Sequence, residues 1–243
     1  MCAGDDVIRF MELAIEDSID DNVTYLEASV DMNLVKYFEN DINELIDVVS
    51  GLKEKYRNKI EFLPEIGMNK NIDKRVTYRN IIACIESEEF FGIDLYGPEK
   101  DMKLEGFVEL FKVAGKMGLK TKVHIGEFSN FETIDDAIDL LNPDEIQHGI
   151  NAVHSEMTMG KILERGIQLN ICPQSNISLG SVRSINEHPI RKLYDYGIKI
   201  TINTDDLLIF DATISDQYIS LMESGVFSYS EIDELRKNSL NTQ

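Results

Sequence analysis

The sequence predicts an α/β fold: a TIM-type (β/α)8 barrel, incomplete, with the first strand missing and about seven strands in all. Three observations carry this reading. Short β-rich runs alternate with longer helical patterns along the chain. The strands start roughly thirty residues apart, the length of one strand–helix unit. The chain opens on a helical segment, Asp6 to Ser18, where a barrel would open on a strand. Repetition by itself admits a doubly wound sheet as well as a closed barrel. The 243 residues fall close to the roughly 250 of an eight-unit barrel, so the pattern reads as a barrel entered one strand late.

In the opening helix, Phe10, Leu13 and Ala14 form an apolar face. Asp20 to Asn22 read as a turn, and Val23 to Val30 as the first strand. Ile42, Leu45, Ile46 and Val49 recur at helical spacing. Strands follow at Lys59 to Ile66 and Phe91 to Gly97. Phe107, Leu110, Phe111 and Ala114 mark another helix before the strand at Lys120 to Glu127. After a turn at Asn142-Pro143-Asp144 come strands at Glu145 to Ile150, Ile167 to Asn176 and Ile198 to Asp206, with Met159 and Ile162 on a helix between the first two. Several strands are apolar at nearly consecutive positions, as buried parallel strands are. Gly118, Gly166, Gly197 and Gly225 each follow a helical run, where a left-handed residue ends a helix. No linker or composition break appears, so residues 1–243 read as one barrel domain, truncated at the N-terminus and near the C-terminus.

The formal net charge of −20 repels phosphate backbones and argues against a nucleic-acid partner. No apolar run approaches the length of a membrane span, so no membrane partner is expected. Met1 to Asp6 has neither the basic nor the apolar region of a signal peptide, which suits a cytoplasmic protein. Cys2, Cys84 and Cys172 are odd in number and widely spaced, and read as free thiols.

In a barrel, chemistry sits on polar residues at the C-terminal ends of the strands. Four strand ends qualify. Lys122-Val-His124-Ile-Gly-Glu127 offers an imidazole for a metal and, past a glycine, a carboxylic acid beside it. Glu145-Ile-Gln-His148-Gly149 ends in a histidine that is as readily structural. Cys172-Pro173-Gln174-Ser175-Asn176 reads as a polar turn capping the next helix. Asn203-Thr204-Asp205-Asp206 sets two carboxylates at the end of an apolar strand. Strand alternation points them to opposite sides, so one would ligate a metal and the other meet a substrate. Histidine nitrogen and carboxylate oxygen together hold metals that activate water, and a nearby Glu can carry the proton.

With these segments in hand, the chain resembles the adenosine deaminase family of metal-dependent amidohydrolases. His124-Ile-Gly-Glu127 is similar to the family's His-Ala-Gly-Glu, and Gln147-His148-Gly149 to its Gly-His-Gly. Cys172-Pro173-Gln174-Ser175-Asn176 matches Cys-Pro-x-Ser-Asn, and Asn203-Thr204-Asp205-Asp206 matches Asn-Thr-Asp-Asp. Asp94-Leu95-Tyr96-Gly97-Pro98-Glu99 is similar to Asp-Leu-x-Gly-x-Glu, and weaker similarity reaches Tyr25-Leu26-Glu27.

The resemblance implies roles. His124 and Asp205 would ligate one Zn2+. Glu127 would protonate the purine ring nitrogen, and His148 would orient the metal-bound hydroxide. Asp206 would contact the purine or that hydroxide, and Gly97 would offer its backbone to the purine. The implied reaction is hydrolytic deamination of a 6-aminopurine nucleoside, adenosine to inosine and ammonia. Departures qualify it. The family's His-x-His pair, which supplies two more metal ligands, matches nothing among His124, His148, His154 and His188. Glu27-Ala28-Ser29 stands where Glu-x-Arg is usual, and Tyr96 where a small residue is usual. The metal site is therefore expected to be incomplete and the activity impaired. The alternatives are a catalytically inactive relative that binds a purine or a protein partner, and a deaminase of adenine or an adenine nucleotide. The strands starting at Val23 and Ile198 should face a gap with unpaired edges, open to self-association or filled by another segment.

Overall fold

Each apolar run bounded by turns becomes a strand, and each amphipathic segment a helix. The computed structural model describes residues 4–71, 74–100 and 102–240, so Cys2 lies outside the described residues. The chain divides into two compact units.

The first unit holds the residues up to Pro98 together with Glu109–Thr121. It contains α1 (Gly4–Asp20), β1 (Tyr25–Asp31), α2 (Ile42–Tyr56), β2 (Glu61–Asn69), α3 (Lys74–Glu86), β3 (Gly92–Tyr96) and nearly all of α4 (Val108–Lys116). β1 pairs in parallel with β2, from Tyr25 opposite Glu61 to Asp31 opposite Gly67, and β2 pairs in parallel with β3. A core of Ile15, Leu52, Tyr56, Ile60 and Phe62 joins α1 and α2 to the start of β2.

The apolar face expected for α1 is corrected. Phe10 is 58% and Leu13 37% exposed, whereas Val7 and Ile15 are buried. The helix carries two apolar stripes, and the one that repeats every four residues through Val7, Met11 and Ile15 faces the core. Polar contacts set this rotation: the Tyr56 hydroxyl donates to Glu16 at 2.7 Å, and the Lys55 ammonium pairs with Glu12.

The second unit holds Glu99–Val108 and the chain from Lys122 onward. Its strands are β4 (Lys120–Ile125), β5 (Glu145–His148), β6 (Gln168–Ile171) and β7 (Ile200–Ile202), joined in parallel in the order β4-β5-β6-β7. Its helices are α5 (Phe131–Leu141), α6 (Glu156–Glu164), α7 (Pro173–Ser178), α8 (Ile190–Asp195), α9 (Leu207–Phe210), α10 (Ile214–Glu223) and α11 (Tyr229–Leu240). The strand expected to run to Asn176 stops at Ile171, because Pro173 occupies the first turn of α7, where its fixed φ suits a helix. Likewise β7 ends at Ile202, short of Asp206.

The strands are not apolar throughout. Lys122 is 1% exposed, and its Nζ lies 3.1 Å from Glu145 Oε2. Asn170 Nδ2 donates to the same oxygen at 2.7 Å, and the Gln168 amide and Thr201 hydroxyl donate to Asn170 Oδ1. A polar ladder thus crosses β4 to β7, with each member partnered as burial demands.

Among the described residues, the strand expected from Ile198 pairs with β6 alone, so its other edge has no strand partner, as expected. α11 lies against β7, and Asn238 Nδ2 donates to the carbonyl of Ile200 at 2.9 Å. Among the described residues, no helix is long and apolar enough to cross a membrane.

Candidate active site

β4 delivers His124, half-buried, one residue before the strand ends at Ile125. The chain then turns at Gly126 with φ +74, where a Cβ would sit 2.3 Å from Ile134 Cδ1. Only glycine fits there. Beyond it, the Glu99 carboxylate accepts from the amides of Gly126 at 2.8 Å, Glu127 at 3.1 Å and Ser129 at 3.0 Å, and from the Ser129 hydroxyl. Asn151 Nδ2 donates to the carbonyls of Glu127 and Ser129. One carboxylate and one amide therefore hold the loop that carries Glu127.

The Glu127 carboxyl is buried, and Oε1 accepts from Asn176 Nδ2 at 2.7 Å. Burial pushes its pKa up to about 7, aided by the charges of Asp205 and Glu99 and opposed by the Asn176 hydrogen bond and by His124. At neutral pH it therefore both holds and releases a proton, as a general acid must.

His148 ends β5 in the left-handed region, φ +64, and Gly149 continues there at φ +65. A histidine at positive φ is strained, and such strain concentrates at functional sites. His148 Nε2 lies 3.7 Å from Glu127 Oε2 and 3.8 Å from Asp205 Oδ2. Its ring centroid is 5.4 Å from that of His124.

Asp205 is also left-handed, φ +59, in the loop between β7 and α9. Strand alternation therefore does not separate it from Asp206, as expected above; the left-handed turn does. Asp205 Oδ2 accepts from the Ser175 hydroxyl at 2.6 Å, and Oδ1 accepts from the Asp206 amide at 2.9 Å. Asp206 stands more exposed, with its pKa raised by partial desolvation and by the Asp205 charge.

His124, Glu127, His148, Asp205 and Asp206 thus gather in the second unit. Gly97 belongs to the first unit, after β3, with φ +102 and Asn69 side-chain atoms 3.0 Å from where a Cβ would stand. In that unit Ser29, standing where an arginine is usual, donates to the buried Asp94 at 2.6 Å.

Sequence reasoning passed over Ser175 and Asn176 as a helix-capping turn. The structure ties Ser175 to Asp205, and Asn176 to Glu127 and His148. His188, which belongs to no His-x-His pair, is buried against Asn176. For Ser175 and Asn176 the available signals were the run of polar residues at a strand end and the match to Cys-Pro-x-Ser-Asn.

His148, Cys172 and Asp205 offer ligand atoms within 4.8 Å of one another. The Cys172 thiol, however, is fully buried and pushed well above its ordinary pKa, chiefly by desolvation and then by the Asp205 charge. His148 Nδ1 is occupied by the Asn176 amide at 3.1 Å. His124 and Asp205 suit zinc by type, but two ligands fall short of the three that catalytic zinc ordinarily keeps.

Comparison with known proteins bears on this site. The family model described as adenosine deaminase matches residues 1–243. A Treponema pallidum protein named for adenosine/adenine deamination is 34% identical over 223 residues, covering 92% of this chain and 75% of its own length. The crystal structure of an adenine deaminase from Arthrobacter aurescens superposes with a TM-score of 0.87 at 20% identity, covering 100% of this chain and 75% of that one. A Burkholderia ambifaria amidohydrolase with bound Zn gives 0.85 at 23% identity, covering 99% and 69%. These structural likenesses are of fold: seven parallel strands with intervening helices match an incomplete TIM-type barrel.

Proposed function

The chain belongs to the adenosine deaminase family, and from that premise we propose that it hydrolyses the exocyclic amine of a 6-aminopurine nucleoside, adenosine to inosine and ammonia, with activity limited by a short set of metal donors. The observation that carries this reading is a buried carboxyl, Glu127, poised near neutral pH beside His148 and Asp205.

Water adds its oxygen to the carbon bearing the amine while the ring nitrogen takes a proton, which one proton of the water replaces on the acid. The remaining hydroxyl proton passes to the amine, and the C–N bond breaks to release ammonia as the C=O forms. Glu127 supplies the ring proton, since burial raises its pKa to about 7 and lets it carry a proton near neutral pH. His148 orients the incoming oxygen from between the two carboxylates, and Asp206 meets the same oxygen or the purine. Zinc would be held by His124 and Asp205, and its contribution is to make a nucleophile of water at neutral pH.

Relatives named for adenosine and for adenine fit the same chemistry, so the substrate needs its own test. Purified chain, supplied with zinc, would be given adenosine, adenine and adenosine monophosphate, and ammonia release measured. The proposal expects adenosine to be turned over fastest. Faster turnover of adenine or the nucleotide would reassign the substrate. Purine binding without ammonia release at saturating zinc would leave a binding protein in place of an enzyme.

A further inference from the structure

We infer that His188 is a positioning residue: acting through Asn176, it fixes the proton of His148 on Nε2, which makes His148 a hydrogen-bond donor to the reacting oxygen and not a metal ligand. The catalytic meaning rests on the reading above; the proton assignment does not.

The relay begins at a backbone amide. Ile190 N–H, at the start of α8, donates to His188 Nδ1 at 3.1 Å. An amide nitrogen can only donate, so Nδ1 carries no proton. His188 is 4% exposed, and burial holds it neutral, its pKa pushed down to about 4 by desolvation and by nearby His148. A neutral ring bare on Nδ1 is protonated on Nε2. That Nε2 lies 3.2 Å from Asn176 Oδ1, and so donates to it.

The orientation of Asn176 follows. With Oδ1 facing His188, its two Nδ2 hydrogens face Glu127 Oε1 at 2.7 Å and His148 Nδ1 at 3.1 Å. The flipped amide would turn oxygen toward the Glu127 carboxyl oxygen and N–H groups toward the N–H of His188. Two close contacts would then oppose each other among buried side chains. Asn176 cannot evade this by shifting, because it is fully buried and its backbone is pinned. Its amide donates to the Cys172 carbonyl at 3.0 Å, and its carbonyl accepts from the Ser181 hydroxyl at 2.9 Å and the Val182 amide at 3.0 Å.

His148 Nδ1 therefore accepts, and its proton sits on Nε2. That N–H points between Glu127 Oε2 at 3.7 Å and Asp205 Oδ2 at 3.8 Å. Both distances exceed a direct hydrogen bond, and a polar contact of this length suits one bridging oxygen. A protonated Nε2 offers no lone pair to a cation. The trio of His148, Cys172 and Asp205 is thus close in space without being a donor set for zinc.

The test reads the tautomer directly. The chain has four histidines, so 15N-histidine labelling with long-range 15N–1H correlation resolves each ring. Wild-type protein without metal should show Nε2–H tautomers for both His188 and His148. His188→Gln, whose amide can donate to Asn176 Oδ1, should keep the His148 signature. His188→Leu, which cannot, should convert His148 to Nδ1–H or to a mixture. Added zinc should shift His124 and leave the His148 Nε2 proton in place. An Nδ1–H tautomer of His148 in wild type, or its displacement by zinc at Nε2, would overturn the inference. So would an unchanged His148 in folded His188→Leu. None of these readouts requires turnover, so a failed deamination assay would leave the inference standing, and the converse also holds.

Discussion

Replacing Lys122 by Met tests whether the second unit is built around a buried ion pair. Met keeps most of the side-chain volume and removes the charge. Glu145 then remains buried with only the Asn170 amide, 2.7 Å from Oε2, in place of an ammonium at 3.1 Å. Breaking a buried pair by deleting one partner costs roughly 3–5 kcal/mol, and the surviving amide places this case near the lower end. Against a total stability of about 5–15 kcal/mol the loss is large. The double variant Lys122→Met/Glu145→Gln is expected to recover much of it, because the introduced carboxamide oxygen still accepts from Asn170 and the buried Glu145 charge is gone. The coupling between the two positions should reach about 2–3 kcal/mol. Urea unfolding, with midpoints compared at constant slope, measures all four corners of the cycle. If Lys122→Met costs under about 1 kcal/mol, or if the two changes add without coupling, the buried pair is not what holds β4 to β5.

Two other buried groups bend the pH dependence of stability in opposite directions. Glu127, raised from 4.5 to about 7 chiefly by burial, binds its proton more tightly when folded, so its contribution falls as pH rises across that interval. His188, lowered from 6.5 to about 4 by burial, is poor in protons when folded, so stability falls as pH drops across that interval. In chelator-treated protein, Glu127→Gln should unmask the acid-side loss and His188→Gln the alkaline-side loss, each on the order of 3 kcal/mol. Parallel stability curves for wild type and both variants would contradict this. Gly126→Ala forces a Cβ to within 2.3 Å of Ile134 Cδ1 at φ +74. It should destabilise by about 2–4 kcal/mol through overpacking and left-handed strain; a thermal midpoint unchanged from wild type would refute the contact. Cys84, its thiol pushed up to about 12 by burial, and Cys172, also pushed well above its ordinary value by burial, should resist a thiol reagent in native buffer and react in urea. Fast native labelling of either, located by mass spectrometry, would show the core to be open.

The strands were legible because each is an apolar run bracketed by turn residues, and a parallel strand buried on both faces leaves that mark. From β3 onward their ends were read too long, whereas β1 and β2 run past the expected ends, to Asp31 and Asn69. Polar residues after an apolar run, such as Pro173 to Asn176 or Asn203 to Asp206, carry no sign of where the sheet stops. In α1, two apolar stripes competed, and only contacts from α2 decide for Val7 and Ile15 over Phe10 and Leu13. The candidate site was legible at Glu127 and Asp205, carboxyls that follow apolar strands in the sequence. It was opaque where side chains meet across distant segments. Nothing local marks Asn176 as the amide between two histidines and a carboxyl, since His188 reaches it from a later segment. Nor does sequence reveal that Glu99 accepts from the amides of the Glu127 loop, or that His148 and Asp205 sit at positive φ.

The acid-bearing cluster around Glu127 is proposed to deaminate a 6-aminopurine with too few donors to hold zinc tightly. Ammonia release from adenosine, followed as zinc is titrated into purified wild-type and Glu127→Gln protein, tests it most directly. Wild type should release ammonia at a rate that keeps rising with zinc well beyond one equivalent, and Glu127→Gln should release none above background. Full activity at one tightly held equivalent of zinc, or equal rates in wild type and Glu127→Gln, would contradict the account.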